Sequence, residues 1–399
     1  MSSKNGCAAA DQMVRFMEKA SWIRKMFEEG ARLKAEHGAD KVCDFSLGNP
    51  DLSPPDTFLE SMERHAADRS PGIHAYMPNA GFPDVREKIS GRVEKDHKVR
   101  PGADNIIMTC GAAGGLNIIF KAILNPGDEV ITPIPYFVEY GFYVNNHGGR
   151  LVTCPSQKNL HLDPDALRTA LTDKTRAVLI NSPNNPSGVI YSRKEIEELA
   201  SILKDFQEKT GRPVFLISDE PYRRLVFGNA EVPAIMDCYD NCIVTTSFSK
   251  DLSIPGERIG YVAVNPEASD RPLLTGALTL ANRILGYVNA PALMQRVIAD
   301  TLDTCVDVSI YERRRDIFAG ILEDAGLDFD MPEGAFYFFP RTPVEDDARF
   351  AAILQEELIL SVPGKGFGAP GHIRLAFCVD EEIIKRSADG FKRAVSRIT

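Results

Sequence analysis

The 399-residue sequence has no apolar stretch approaching the ~20 residues that a bilayer-spanning helix needs, so helical membrane spans are not expected. It also has no long Lys or Arg run to offset a formal net charge of −10. A net acidic chain repels nucleic acid and anionic lipid, and neither is expected as a partner. Eight cysteines are scattered without a C-x-x-C pair, and Cys238 and Cys242, four positions apart, have no companion His or second pair. No metal site is therefore expected. The start, MSSKNGCAAADQMVRFMEKA, lacks the apolar core of a signal peptide. The even cysteine count hints weakly at disulfides, but the chain's size and this start point to the cytoplasm, with reduced thiols. No internal repeat or low-complexity tract is visible, which excludes solenoids and low-complexity tails.

What is present is ordinary for a globular protein: 44% hydrophobic and 26% charged residues, in a chain long enough for two domains. The first 40 residues read as helix, with Trp22, Ile23, Met26, Phe27 and Leu33 near helical spacing and His37-Gly38 as an end signal. A Gly/Pro loop through Gly48, Pro50, Pro54 and Pro55 follows. From about residue 105 short apolar runs alternate with helical patterns. The runs are Ile106–Met108, Glu129–Thr132, Ala177–Ile180, Val214–Ile217, Cys242–Thr245 and Gly260–Val264. Such alternation predicts an α/β fold with a mostly parallel sheet covered on both faces. Beyond about residue 290 a long helix over Ala292–Ala319 is expected, then strands at Ala335–Phe339 and Ile373–Phe377. The expected division is an N-terminal segment 1–44, a large domain 45–290 and a C-terminal part 291–399. The two end pieces build one smaller α+β domain.

Four motifs sit just after apolar runs. Ser-Asp-Glu-Pro-Tyr (218–222) puts Asp219 at the end of a strand, where a buried acid needs a cationic partner. Taken singly it is a helix cap or loop ion pair, and Tyr222 is core. Ser-Phe-Ser-Lys (247–250) puts Lys250 beside two hydroxyls, with Pro255, Gly256 and Arg258 following. Most lysines are solvated surface charges, whereas one desolvated near other cations becomes an amine nucleophile. Asn-Ser-Pro-Asn-Asn-Pro-Ser-Gly (181–188) is by itself a turn-rich loop. Thr-Cys-Gly-Ala-Ala-Gly-Gly (109–115) offers backbone N–H groups at a helix start for a phosphate. Its spacing does not match the dinucleotide fingerprint G-x-G-x-x-G, which tells against a nucleotide-dependent dehydrogenase.

Taken together and in this order, NSPNNPSG, SDEPY, SFSK with GERIGY, and IRLAF resemble the class I/II aminotransferases of pyridoxal-phosphate fold type I, from about Ser21 to the C-terminus. Asn185 precedes Asp219 by 34 residues, Asp219 precedes Lys250 by 31, and Lys250 precedes Arg258 by 8. The resemblance implies a pyridoxal 5'-phosphate enzyme that moves an amino group between an amino acid and a 2-oxo acid in a ping-pong cycle. Lys250 would carry the cofactor as a Schiff base and shuttle the proton. Asp219 would pair with the pyridine nitrogen, and Tyr222 and Asn185 with the phenolic oxygen. Gly111, Ala112 and Ala113, with Ser247, Ser249 and Arg258, would hold the phosphate, and Phe137 would stack on the ring. Arg374 would grip the substrate α-carboxylate, helped by Gly48 and Asn185. Tyr76 would reach the phosphate of the partner subunit, implying a homodimer with shared sites.

Departures from the family pattern bear on affinity and substrate choice: Phe137 where many relatives have Trp or Tyr, Ala113 where some have a phosphate-touching side chain, and Glu257 where some have Trp. The resemblance leaves the donor open. Aspartate needs a second cation for its distal carboxylate. Arg283, ahead of Asn289-Ala-Pro291, is one choice, although strict alignment puts Ile284 at that position, and Arg24 on the N-terminal helix is another. For each, a surface or interface salt bridge is the blander alternative. A C–S β-lyase, a decarboxylase or a cyclopropane-forming enzyme would use the same Lys, Asp and Arg. A non-catalytic regulatory module would ordinarily carry a basic DNA-binding domain, and no such segment precedes the motifs.

Overall fold

A computed structural model of the chain describes residues 8–398, with the side chains of residues 19–27 outside that description. Apolar runs long enough to be buried on both faces build the centre of the molecule. After a two-residue strand β1 (Cys43–Asp44) come β2 (Ile106–Thr109), β3 (Glu129–Pro133), β4 (Arg150–Cys154), β5 (Thr175–Asn181), β6 (Phe215–Asp219), β7 (Cys242–Ser247) and β8 (Gly260–Val264). Among the described residues β2 to β8 form one seven-stranded sheet in the order β2-β8-β7-β6-β5-β3-β4. All neighbours are parallel except β8, which runs antiparallel to both β2 and β7.

Side chains alternate across the sheet with the two-residue period of a strand. Ile106, Met108, Val178, Ile180, Leu216 and Val244 pack into one core, and Ile107, Ala177, Leu179, Ile217, Ile243 and Val262 into the other. Amphipathic helices cover each face. Helix Arg193–Thr210 starts in a capping box between Ser192 and Glu195 and stops at left-handed Gly211. Helix Gly111–Ile123 lies so close to the sheet that a Cβ on Gly115 would stand 2.1 Å from the Thr245 hydroxyl. Parallel register brings Asn181 level with Asp219, and Asp219 level with Thr245. The carboxyl ends of β5, β6 and β7 therefore open onto one crevice, where ligands bind in such sheets.

The C-terminal third adds β9 (Tyr337–Phe338), β10 (Ile359–Leu360), β11 (Val362–Pro363) and β12 (Ile373–Ala376). β12 lies antiparallel between β11 and β9, while β10 pairs in parallel with β1. Phe45 thus joins Phe318, Phe338, Phe377 and Phe391 in one aromatic core.

Two expectations need correction. The helix expected over Ala292–Ala319 is two, Ala292–Thr301 and Val308–Asp324. The Asp307 side chain accepts from the Ser309 N–H and restarts the helix. Arg224 donates to the carbonyls of Asp303 and Thr304, satisfying the break. The strand expected over Ala335–Phe339 shrinks to Tyr337–Phe338 because Ala335 sits at φ 59° and its N–H bonds to the Leu225 carbonyl. The N-terminal helix runs Asp11–His37 and ends at Gly38 with φ 95°, as the His-Gly signal suggests. The reading of Trp22, Ile23, Met26 and Phe27 as its apolar face concerns side chains outside the described residues.

Candidate active site

The crevice deepens into a cavity of about 340 Å3 walled by the strand ends, the start of helix Gly111–Ile123 and the β9–β12 edge. Asp219 closes β6 and is 5% exposed. Its Oδ2 accepts from the Tyr140 hydroxyl at 2.6 Å, whereas Oδ1 has no hydrogen-bond partner among the described residues. Burial is the main reason its carboxyl is pushed up to about 7; the Tyr140 bond opposes the rise and neighbouring Glu220 adds to it. Burial would raise Glu220 too, but His97, Arg223 and the Ser218 hydroxyl outweigh it and hold it at about 2. The Asp219 carbonyl accepts from Asn181 Nδ2 at 2.8 Å, which ties two strand ends together.

Lys250 follows β7 in a turn and reaches back over the cavity. Its Nζ donates to the Gly48 carbonyl at 2.9 Å and lies 5.6 Å from the centre of the Phe336 ring. Burial brings the ammonium down to about 8; the nearby Cys378 works against this, and Arg374 and Arg258 push the same way. The amine is thus uncharged far more often than on a surface lysine. Tyr222 is buried, and its hydroxyl shares a 2.9 Å hydrogen bond with that of Tyr337.

Opposite Lys250, Arg374 on β12 is 9% exposed. Its Nη1 donates to Asn185 Oδ1 at 3.0 Å and its Nη2 to the Ser46 carbonyl at 2.7 Å. The guanidinium carbon lies 4.8 Å from the Tyr337 ring centre and 4.9 Å from that of Phe367. Such a fork, rigidly held, suits a carboxylate. At the other end of the cavity the Ser247 and Ser249 hydroxyls bond to each other beside Arg258. Arg258, at φ 53°, donates from Nη1 to the Pro255 carbonyl at 2.8 Å. Gly111, at φ 73°, opens the helix so close to Arg258 that a Cβ there would lie 2.9 Å from Nη2. Of the glycines after Thr109, Gly111 therefore lets the helix start against Arg258, and Gly115 serves the packing against β7.

Gly48, Ala112, Ala113, Phe137, Asn185, Asp219, Tyr222, Ser247, Ser249, Lys250, Arg258 and Arg374 all line this one cavity. Tyr76, 90% exposed, and the exposed Arg283 lie on the surface outside it. The Arg24 side chain lies outside the described residues. Sequence reasoning missed Tyr140, Tyr143, Asn181 and Tyr337, which also line the cavity. Asn181 heads the quoted NSPNNPSG loop and Tyr140 sits three residues after Phe137, but a lone tyrosine in an apolar stretch carries no signal beyond core packing. The donor set fits pyridoxal phosphate: Asp219 in the cavity wall keeps one carboxylate oxygen without a hydrogen-bond partner among the described residues, which suits a cationic ring nitrogen. Arg258, two hydroxyls and backbone N–H groups face a place for a phosphate. Among the described residues no group of His, Cys, Asp and Glu is arranged to hold a metal, and no helix is long and apolar enough to cross a membrane.

Comparison with known proteins agrees with this chemistry. The family model for aminotransferase class I and II matches residues 40–391. A probable aspartate/prephenate aminotransferase of Aquifex aeolicus is 33% identical over 90% of this chain and 92% of its own length. An aspartate aminotransferase of Thermotoga maritima is 31% identical over 92% and 95%. Among solved structures, an aminotransferase from Eubacterium rectale superposes with a TM-score of 0.95 at 38% identity, covering 98% of this chain and 99% of that one. The Thermus thermophilus aspartate aminotransferase solved with maleate gives a TM-score of 0.83 at 27% identity, over 93% and 96%. A match that runs through nearly every element of the fold, and through the cavity built on it, makes this chain a member of the class I and II aminotransferase family, a pyridoxal-phosphate-dependent transaminase.

Proposed function

We propose that this transaminase takes aspartate as amino donor and a 2-oxo acid as acceptor, working as a homodimer in the cytoplasm. The observation that carries the reading of the site is the meeting of Lys250, Asp219 and Arg374 in one cavity. The relatives named for aspartate and aspartate/prephenate support the choice of donor, as does a neighbour solved with the dicarboxylate maleate. Seven cysteines standing unpaired among the described residues support a reducing compartment.

When bound, pyridoxal phosphate supplies a ring that draws negative charge away from the substrate α-carbon. Asp219 Oδ1 would pair with its ring nitrogen, and Phe137 would pack against the ring. Tyr222 and Asn185 would bond its phenolic oxygen. Arg258, Ser247, Ser249 and the N–H groups from Gly111 to Ala113 would hold its phosphate. Arg374 and Asn185, with the main chain at Gly48, orient the substrate by its α-carboxylate. Lys250, whose amine burial leaves uncharged more often than that of a surface lysine, would take the proton from the substrate α-carbon as base and hand it on as acid. The aromatic walls of the cavity, Phe137, Tyr222 and Tyr337 among them, would keep water from the reacting α-carbon.

We further propose that the chain divides near residues 44 and 290, since Cys43–Phe45 pack with the C-terminal third. The dimer face we assign to helix Arg271–Ile284, where Leu273, Leu280 and Ile284 are exposed on one side at helical spacing. Asn79 donates to the Val288 carbonyl and Asn289 to the Pro78 carbonyl, which fixes the Tyr76 loop beside that face. Arg283 lies on it too. Among the described residues, the cations lining the cavity are Lys250, Arg258 and Arg374, and the cation for a distal carboxylate we assign to Arg24 or Arg283.

The test is a panel of amino acids scored by conversion of bound pyridoxal phosphate to pyridoxamine phosphate. Aspartate should convert it fastest. Fastest conversion by a neutral or aromatic donor refutes the substrate assignment, and steady pyruvate release without an oxo-acid acceptor would mark a lyase instead.

A further inference from the structure

The two carboxylate oxygens of Asp219 have different surroundings. Oδ2 accepts from the Tyr140 hydroxyl at 2.6 Å, and Oδ1 meets no donor among the described residues although it is buried. The main chain of Asp219 is held separately, by Asn181 and by the β5–β6 register. Neither fixes rotation of the carboxylate about its terminal bond, which is a broad, two-fold torsion. The Tyr140 bond does so, by engaging one oxygen and leaving the other without a donor among the described residues.

Tyr140 is fully buried at the start of helix Tyr140–Asn146, with its ring edge-on to Phe137 at 5.6 Å. Burial, and next the charge on Asp219, pushes its phenol well up from the usual range, so it remains a donor throughout the working pH. The other ionisable neighbours act differently. Glu220 points its charge to His97 and Arg223, Tyr222 bonds to Tyr337, and Tyr143 feels Asp219 only through space.

We propose that Tyr140 is a positioning residue of the transamination site: its hydroxyl grips one oxygen of Asp219 and turns the other toward the cofactor's ring nitrogen. This rests on the role proposed above for Asp219. The alternative is a tyrosine whose hydroxyl is merely satisfied in the core, and the two differ in whether Tyr140 acts through Asp219.

The experiment compares full-length holoenzymes of Tyr140→Phe, Asp219→Ala and the double variant, with thermal unfolding as a control. Two quantities are read: cofactor affinity, from the absorbance of retained pyridoxal phosphate, and kcat against KM for the donor. Tyr140→Phe should loosen the cofactor about 10-fold and lower kcat about 10-fold, with KM within about twofold. In the Asp219→Ala background the same substitution should change either by less than about twofold, because residues acting as a unit are not additive. Equal losses in both backgrounds, or none with Asp219 intact, overturn the proposal. Near-native kcat in Asp219→Ala removes the Asp219 reading and this proposal with it. An impaired Asp219→Ala beside a silent Tyr140→Phe removes this proposal alone. Replacement of Tyr140 by 4-aminophenylalanine, which keeps the ring and a donor, should restore kcat to within about threefold. It also stands in if Tyr140→Phe fails to fold, and a loss as large as that of Asp219→Ala then overturns the proposal.

Discussion

Replacing Arg374 by Lys keeps the positive charge and removes the fork. The guanidinium is fixed from three sides, by Asn185 Oδ1 at 3.0 Å, the Ser46 carbonyl at 2.7 Å and the rings of Tyr337 and Phe367. An ammonium has no plane to lie between those rings and cannot make two parallel bonds to a carboxylate. One charge-assisted hydrogen bond to the substrate is lost outright, at about 1.5–3 kcal/mol, and looser positioning adds to it. A total of about 2–4 kcal/mol converts to a fall of about 30- to 900-fold in kcat/KM. The assay is kcat/KM for aspartate, alanine and methionine and for the oxo-acid acceptor, with unfolding temperatures measured alongside. Since all carry the same α-carboxylate, the losses should agree within about threefold. A loss confined to one substrate would mean that Arg374 reads a side chain. A loss below threefold for all would remove it from carboxylate binding.

Four further outcomes are expected. Borohydride reduction followed by peptide mapping should find the cofactor on Lys250 alone, and Lys250→Ala should lose that label while turnover falls by orders of magnitude; a label on another lysine refutes the assignment. The rate of cofactor attachment should rise with pH through a midpoint of about 8, because the free amine attacks and burial lowers this ammonium from 10.5; a midpoint above 10 would contradict a desolvated lysine. If Arg24 or Arg283 reads the distal carboxylate, its replacement by Leu should cost aspartate about 2–4 kcal/mol in kcat/KM and leave alanine unchanged, whereas equal losses for both donors in both variants would favour an apolar pocket. Mixed Lys250→Ala and Tyr76→Phe subunits, after verified exchange, should regain activity above the mean of the parents, and no gain tells against shared sites.

How far the fold could be read before it was seen follows burial. β5, β6 and β7 are buried on both faces, so each appears as an unbroken apolar run. β4, at the sheet edge with an exposed Arg150 and Thr153, shows no such run and went unread. The split of the long helix was signalled only by Asp307, a cap that an apolar periodicity count passes over. Strand-end motifs were legible because the chemistry concentrates unusual residue types there: an acid, a lysine between serines, a loop of Asn and Pro. Tyr140 and Tyr337 were not, because a buried tyrosine looks the same in sequence whether its hydroxyl is satisfied in the core or by a group in the cavity wall.

The sequence by itself therefore placed the candidate residues, since Asp219 closes one strand of the parallel sheet and Lys250 follows the next. Only the tertiary structure decided how they meet. Arg374 lies 124 positions after Lys250 and reaches the same cavity through the pairing of β12 with β9 and β11. The orientation of Asp219 depends on a hydroxyl 79 positions away. Contacts at such separations are set by the packing of whole elements, for which a sequence carries no local signal.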